Sequence, residues 1–408
     1  MIFANENGRK SIGVPDKLFG VSQKAKERKA ELGKDKVIDS TIGVLLDDEG
    51  KIVVLDSVMK AIRMLGPEDY APYAPITGLP EYLEAVKNIV FIDGVPEGCH
   101  IRACYTPGGT GAIRHAVSAY TKPGDKILTS DWHWSPYNIV AQEIGREVAT
   151  YQLFDENKHV NYNSFYAELD KILKVQDETV VIINTPAHNP TGYTFTYADW
   201  DNVLSVIKKY KNKKIAVLVD IAYLDFSGDA HEYRGFLNKL VGLPENILPL
   251  IAFSASKGYT MYGMRCGAIM CMAPTKEIAD EFRDVVSVQS RGSWSNGNRA
   301  AMKVIANILE NPELYDEVKK EREGWLVKLR RRGTAFVEKA KEVGLDIIPY
   351  DSGFFITIPC DNPDEICAKL QEKNLFTVPL SKGIRVSVAS NTIDECKRMP
   401  EIIKSLFI

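Results

Sequence analysis

The sequence predicts an α/β protein: a mostly parallel central sheet covered by helices, with a smaller α+β domain. Three observations predict it. From about Tyr105 short apolar runs rich in β-branched residues alternate with helical stretches. Residues able to do chemistry fall at the ends of those runs rather than within them. Past Asn298 the pattern turns helical for some 40 residues and then yields two further strand-like runs. Alternation of strand and helix argues for parallel strands joined by covering helices, and such sheets hold ligands beyond the strands' C-terminal ends.

In chain order, strands are expected over residues 126–130, 180–184, 215–220, 248–253 and 266–272. Helices are expected over 111–120, 165–173 and 200–210. The Lys- and Glu-rich stretch 17–36 has the pattern of a solvated helix. After the helical region to about residue 342, strands are expected over 353–359 and 384–389. This gives an N-terminal arm and part of the small domain over 1–60, a large domain over 61–300 and a small C-terminal domain over 301–408.

With 408 residues, 45% of them apolar, the chain can bury two or three domains' worth of core, which excludes a disulfide scaffold or a disordered chain. Lys and Arg number 51 against 54 Asp and Glu, a net charge of -3, so nucleic acid is not an expected partner. The seven cysteines are odd in number and lack CxxC spacing, which suits a reducing cytoplasm. The first 20 residues lack the apolar core of a signal peptide. The longest apolar run falls well short of the ~20 residues of a membrane span. Six histidines form no HExxH and no cluster with cysteine, so no metal site is expected.

Three strand ends stand out. Thr106-Pro-Gly-Gly-Thr-Gly111 opens a helix, and its glycines let backbone N–H groups approach an anion at the positive end of the helix dipole. The spacing matches neither GxGxxG nor GxxxxGK[ST], and a plain strand-to-helix turn would read the same way. The run ending at Asp220 places a carboxylate at the end of a buried strand, which is costly unless it faces a cation or merely opens a turn. The run 248–253 leads into Ser254-Ala-Ser256-Lys257, with Arg265 eight residues on. Together these ask for one ligand with an anionic group, a cationic ring atom for Asp220 and an electrophilic carbonyl for Lys257. Pyridoxal phosphate meets all three demands.

At this point the sequence resembles the pyridoxal-phosphate-dependent aminotransferases of the aspartate aminotransferase fold, class I/II, over nearly the whole chain. The matching pieces run in family order. They are Ile42-Gly43-Val44, Tyr73-Ala-Pro-Ile-Thr-Gly-Leu-Pro80, the glycine turn, Trp134, Asn189-Pro-Thr-Gly192, Asp220 with Tyr223, Ser254-Ala-Ser-Lys257 with Arg265, Arg291 before Trp294-Ser-Asn296, and Gly353-Phe-Phe with Arg385. The resemblance implies a PLP-dependent transferase fold and a ping-pong transamination. The expected donor is an L-amino acid, aspartate first, and the acceptor 2-oxoglutarate.

By the same resemblance Lys257 would form the Schiff base and shuttle the proton, a nearby cationic environment depressing its pKa. Asp220 would pair with the ring nitrogen, Tyr223 and Asn189 would bond the ring oxygen, and Trp134 would stack on the ring. Gly109, Thr110, Ser254, Ser256 and Arg265 would hold the phosphate, joined by Tyr73 from the neighbouring subunit of a homodimer. Gly43, Trp134 and Asn189 would line the substrate site, Arg385 would grip the α-carboxylate, and Arg291 would reach the distal carboxylate across the dimer. Arg385 as an outward strand residue and Arg291 in a surface loop are the plain alternatives.

Two positions depart from the family pattern: Tyr137 and Asn184 stand where aspartate-type members often have histidine, both expected around Asp220. His188 would orient the Asn189-Pro-Thr-Gly turn or serve structure alone. Tyr73 and Trp294 keep aromatic substrates open. A same-fold C–S lyase, decarboxylase or cyclopropane-type synthase, and a non-catalytic regulator, are the other readings.

Overall fold

The computed structural model describes residue 3 and residues 17–407, so most of the first 16 residues of the expected arm lie outside the described residues. By contact clustering the chain forms two units, one from Val54–Thr185 with Phe195–Arg322, the other from residues 17–53, Pro186–Thr194 and residues 323–407. These bounds depart from the expected ones at residues 54–60, which cluster with the first unit, and in two larger places. Residues 301–322 cluster with the first unit, and Pro186–Thr194, expected inside the large domain, clusters with the second. The second departure has a local cause: Gly192 O accepts from Asp351 N at 3.0 Å and Ser352 N at 3.1 Å, and Thr357 Oγ1 donates to Pro190 O at 2.8 Å.

The first unit holds a seven-stranded sheet in the spatial order His100–Pro107, Cys266–Ala273, Ile247–Ser254, Lys214–Asp220, Glu178–Asn184, Lys126–Ser130, Glu147–Tyr151. All neighbours pair in parallel except that Cys266–Ala273 runs antiparallel to both of its partners. Only Ala255–Gly258 and a 3₁₀ turn, Tyr262–Met264, separate that strand from the one before it, too little chain for a helical crossover. The central strands are buried on both faces, which is why Ile215-Ala-Val-Leu-Val-Asp220 reads as continuously apolar up to its acid. Their core includes Ile113, Val117, Val180, Leu218, Ile269 and Phe282. Each such side chain contributes about 1.5–3 kcal/mol on burial.

Register sets the chemistry in a row. Asn184 pairs with Asp220 and Asp220 with Ala252, so the acid and the start of the Ser254–Lys257 segment leave the sheet at one edge. The helix Gly108–Ala119 packs against this edge, and Gly267 permits it: a Cβ there would lie 2.6 Å from the Gly108 carbonyl carbon and 2.7 Å from Phe253 O. The helix Tyr197–Ile207 starts on a capping box in which Thr196 Oγ1 accepts from Asp199 N and Asp199 Oδ2 from Thr196 N.

In the second unit Phe355–Pro359, Gly383–Ser387 and Val378–Pro379 form an antiparallel sheet with Gly383–Ser387 central. Ile38–Asp39 pairs in parallel with Leu375–Phe376, joining the two ends of the chain. The helix expected over 17–36 is Lys17–Leu32. Several elements had no sequence forecast, among them the helices Pro80–Val90 and Pro136–Glu143, the edge strand Glu147–Tyr151 and the helix Lys276–Ser293. Among the described residues no helix is long and apolar enough to cross a membrane, and all seven cysteines are free.

Arg332 ties the second unit together. It is 1% exposed, its Nη1 donates to Leu46 O and Ala389 O at 2.9 Å, and its Nη2 donates to Asp48 Oδ1 at 2.7 Å. Hydrogen bonds involving a charged group contribute about 1.5–3 kcal/mol each. Arg332→Met is therefore expected to lower unfolding free energy by about 3 kcal/mol, read as an earlier urea midpoint. An unchanged midpoint would show that this network contributes nothing.

Candidate active site

In the first unit the site is assembled from three strand ends. Lys214–Asp220 delivers Asp220 and, three residues on, Tyr223. Ile247–Ser254 delivers Ser254, Ser256 and Lys257 on the short helix Ala255–Gly258, where Ser254 Oγ accepts from Ser256 N at 3.3 Å. His100–Pro107 leads into the helix Gly108–Ala119, whose first turn has no side-chain cap.

Gly109, Ser254, Ser256 and Arg265 come together there. A Cβ on Gly109 would sit 3.5 Å from Ser254 Cβ, and one on Gly108 would sit 2.4 Å from Arg265 Nη2. Arg265 Nη1 donates to Ser256 Oγ at 3.3 Å and Tyr262 O at 3.0 Å. Both partners are neutral oxygens. Thr110 occupies the first helical turn and is partly exposed. A guanidinium, two hydroxyls and uncapped N–H groups at a twelve-residue helix make a donor set suited to a phosphate dianion.

Asp220 is 5% exposed. Its Oδ2 accepts from Tyr137 Oη at 2.7 Å and its Oδ1 from Ala222 N at 3.2 Å, while its main-chain carbonyl accepts from Asn184 Nδ2 at 2.7 Å. Tyr137 and Asn184 therefore both hold Asp220, the tyrosine at the carboxylate and the asparagine at the backbone. Burial pushes the Asp220 carboxyl upward, against the opposing pull of Tyr137, the Ala222 N–H and Lys257. A cationic ring nitrogen is the partner such a buried acid lacks.

Lys257 Nζ lies 5.1 Å from the centre of the Tyr223 ring, and Tyr223 is 4% exposed. Although Lys257 keeps some exposed surface, its amine is brought down to about 8, burial being the largest cause; Arg265 lowers it further and Asp220 opposes both. The expected cationic environment is thus the lesser cause, because water is excluded at a buried strand end before any neighbouring charge acts. Trp134 packs edge-on against Tyr137, ring centres 5.5 Å apart at 87°.

In the second unit Arg385 is 6% exposed, which removes the alternative of an outward-facing strand residue. Its Nη1 donates to Asn189 Oδ1 at 3.2 Å, its Nη2 to Thr41 O at 3.1 Å, and its guanidinium lies over the Phe355 ring at 4.1 Å. Gly43 adjoins that ring: a Cβ there would come 3.0 Å from Phe355 Cζ. His188 Nδ1 pairs with Thr191 Oγ1 at 2.8 Å and so braces the Asn189-Pro-Thr-Gly turn. The roles of Thr41 and Phe355 were missed from sequence, since a carbonyl acceptor has no sequence signal and the Gly353-Phe-Phe motif does not say which ring meets the arginine.

Tyr73 and Arg291 are not gathered with these groups. Tyr73 is 88% exposed. Arg291 is exposed in the last turn of Lys276–Ser293, not in a loop, and its Nη1 donates to Ser295 Oγ at 2.7 Å. Ser295 Oγ donates to Asn296 Oδ1 at 3.0 Å and Asn296 Nδ2 to Ala74 O at 2.7 Å, so one hydrogen-bond chain joins Arg291 to the loop carrying Tyr73. No group of three or more His, Cys, Asp or Glu side chains among the described residues is arranged to hold a metal ion.

A mixed sheet that presents a buried acid, a lysine of lowered basicity and a donor set suited to a phosphate at one edge fits an enzyme that works through a phosphorylated carbonyl cofactor. The aminotransferase class I and II family profile matches residues 35–403, and the chain belongs to that family, whose cofactor is pyridoxal phosphate. An aminotransferase from Anaerococcus prevotii is similar in structure, with 35% identity, a TM-score of 0.96 and coverage of 100% of this chain and 99% of that one. The aspartate aminotransferase of Salmonella typhi is 29% identical over 90% of this chain and 92% of its own length. The aromatic-amino-acid aminotransferase of Paracoccus denitrificans is 29% identical over 74% of each.

The position of Lys257 gives a direct test. In competitive reductive methylation of the cofactor-free protein, followed by peptide mass spectrometry, Lys257 is expected to become half-reactive near pH 8, where its neutral amine forms. Solvated lysines should follow only near their ordinary value of about 10.4. Co-titration of Lys257 with them would contradict its burial.

Proposed function

We propose that the chain transfers the amino group of an L-amino acid, aspartate above others, to 2-oxoglutarate, as a cytoplasmic homodimer with shared active sites. The observation that carries the choice of aspartate is Arg291, an exposed guanidinium bonded through Ser295 and Asn296 to the Tyr73 loop. The similarity to the aspartate aminotransferase of Salmonella typhi supports the same reading.

When bound, the cofactor supplies a carbonyl that condenses with amines and a ring that withdraws electrons from the substrate Cα. Gly109, Thr110, Ser254, Ser256 and Arg265 bind its phosphate, with Tyr73 contributed by the partner subunit. Asp220 holds a proton on the ring nitrogen, and Tyr137 keeps that carboxylate oriented. Tyr223 and Asn189 would hydrogen-bond the ring oxygen, and Trp134 would shield the ring from water.

Arg385 binds the α-carboxylate through its guanidinium fork, Gly43 leaves space beside it, and Arg291 receives the distal carboxylate. Lys257 Nζ would take the proton from Cα and return it on the other side of the exchange. An amine brought down to about 8 is suited to both directions near neutral pH. A preference for aromatic donors is the second reading, supported by the Paracoccus denitrificans relative. Against it, Trp294 is already stacked on His115 at 4.4 Å, with its Nε1 buried.

The test is donor selectivity. L-Aspartate alone should convert the cofactor's absorbance to that of its amine form with release of oxaloacetate, and Lys257→Ala should abolish turnover while leaving phosphate binding largely intact. Arg291→Ala is expected to cost about ten- to a hundredfold in kcat/KM for aspartate, the worth of one charge-assisted contact, with neutral donors spared. Equal losses for every donor would refute the role of Arg291.

A further inference from the structure

The roles above leave unused a carboxylate that two arginines hold inside the first unit. Asp225, two residues past Tyr223 on the 3₁₀ turn Leu224–Phe226, is 8% exposed. Its Oδ1 accepts from Arg234 Nη2 at 2.8 Å and its Oδ2 lies 3.2 Å from Arg322 Nη1, the two arginine side chains being 5% and 12% exposed. Arg234 is anchored by bonds from Nε to Ile89 O and from Nη1 to Ala230 O, each 3.1 Å. The Arg322 guanidinium lies 5.3 Å from the centre of the Tyr259 ring. Burial pushes the Asp225 carboxyl up, but Arg322 and Arg234 outweigh it and hold the group below its ordinary value. Asp225 is an anion throughout the neutral range.

A second observation says what this anion touches. A Cβ on Gly258 would fall 2.1 Å from Asp225 Oδ2 and 3.0 Å from its Cγ. Gly258 directly follows Lys257, so the carboxylate rests on the backbone of the turn that carries the amine. The turn holding Asp225 begins at Tyr223, whose ring faces Lys257 Nζ at 5.1 Å. A carboxylate end would ordinarily yield to an intruding methyl group. This one is held by two arginines, one of them fixed to two carbonyls.

We propose that Asp225 is a positioning residue: clamped between Arg234 and Arg322, it packs on Gly258 and locks the Lys257 turn against the Tyr223 turn. It rests on the reading of Lys257 given above. The charged and titratable groups facing Lys257 are Asp220, Arg265 and Tyr223; those facing Asp225 are Arg234, Arg322 and Tyr259. Asp225 therefore acts on the amine through geometry and not through its own charge.

The sign of the outcome separates the two. Loss of a nearby negative charge by itself would lower the amine's pKa further. Loosening of the turn admits water and moves it back upward.

Two variants test this, Asp225→Asn, which removes the charge, and Gly258→Ala, which keeps every charge and wedges the contact. In competitive methylation of cofactor-free protein, the Lys257 midpoint near 8 is expected to rise by about one unit in both variants. In the loaded enzyme kcat per bound cofactor should fall about tenfold, with the donor KM changed less than about twofold. An unmoved midpoint and unmoved kcat in folded variants, with only the melting temperature lowered, would overturn the proposal. If Asp225→Asn fails to fold, Gly258→Ala decides alone. Borohydride reduction of the loaded wild-type enzyme, followed by peptide mapping, checks the parent reading separately: fixation at any lysine other than Lys257 would overturn that reading and this one with it.

Discussion

The site depends on keeping one carboxylate and one amine out of water at the same edge of a sheet. Burial raises the Asp220 carboxyl and lowers the Lys257 amine, and their mutual attraction opposes both shifts. For the lysine, burial wins: it is the largest of the causes that bring the amine down to about 8. That desolvation exists only because the strands leading to both residues are apolar on both faces, and because Gly267 lets the helix Gly108–Ala119 close over the edge. Sheet composition, the one close backbone approach and the basicity of the lysine are thus a single requirement.

Much of this was legible in the sequence, and for identifiable reasons. A buried strand that ends in Asp220, and another that runs into Ser254-Ala-Ser-Lys257, violate strand propensity, and such violations mark places where something other than folding sets the residue. The glycine turn was equally visible, since Gly108 has a positive φ of 71° and faces the Arg265 guanidinium. The burial of Arg385 was not, because alternation in a short strand does not say which face is covered. Nor was the helix Lys276–Ser293 forecast, although Ala279, Phe282 and Val286 recur at helical spacing on its buried side. The antiparallel strand Cys266–Ala273 follows from the length of a connection that the pattern of apolar runs does not reveal.

The same limit applies to the two units. Chain position suggested that everything over 61–300 belonged to the large domain. The Asn189 turn instead clusters with the second unit, through main-chain bonds from Asp351 and Ser352 and a side-chain bond from Thr357. Long-range backbone bonds have no periodicity to read.

Tyr137 has a consequence of another kind. A histidine beside a buried carboxylate carries its own proton on and off between pH 5 and 8, so that the acid's surroundings change within the range in which cells live. Burial first, with Asp220 adding to it, pushes the ionisation of Tyr137 far above its ordinary value, and its hydroxyl serves the acid only as a donor. Whatever rests against Asp220 therefore meets in Tyr137 a neighbour that keeps its proton across the neutral range. The titrations left to the site are those of Asp220 itself, raised by burial, and of the Lys257 nitrogen, lowered by it.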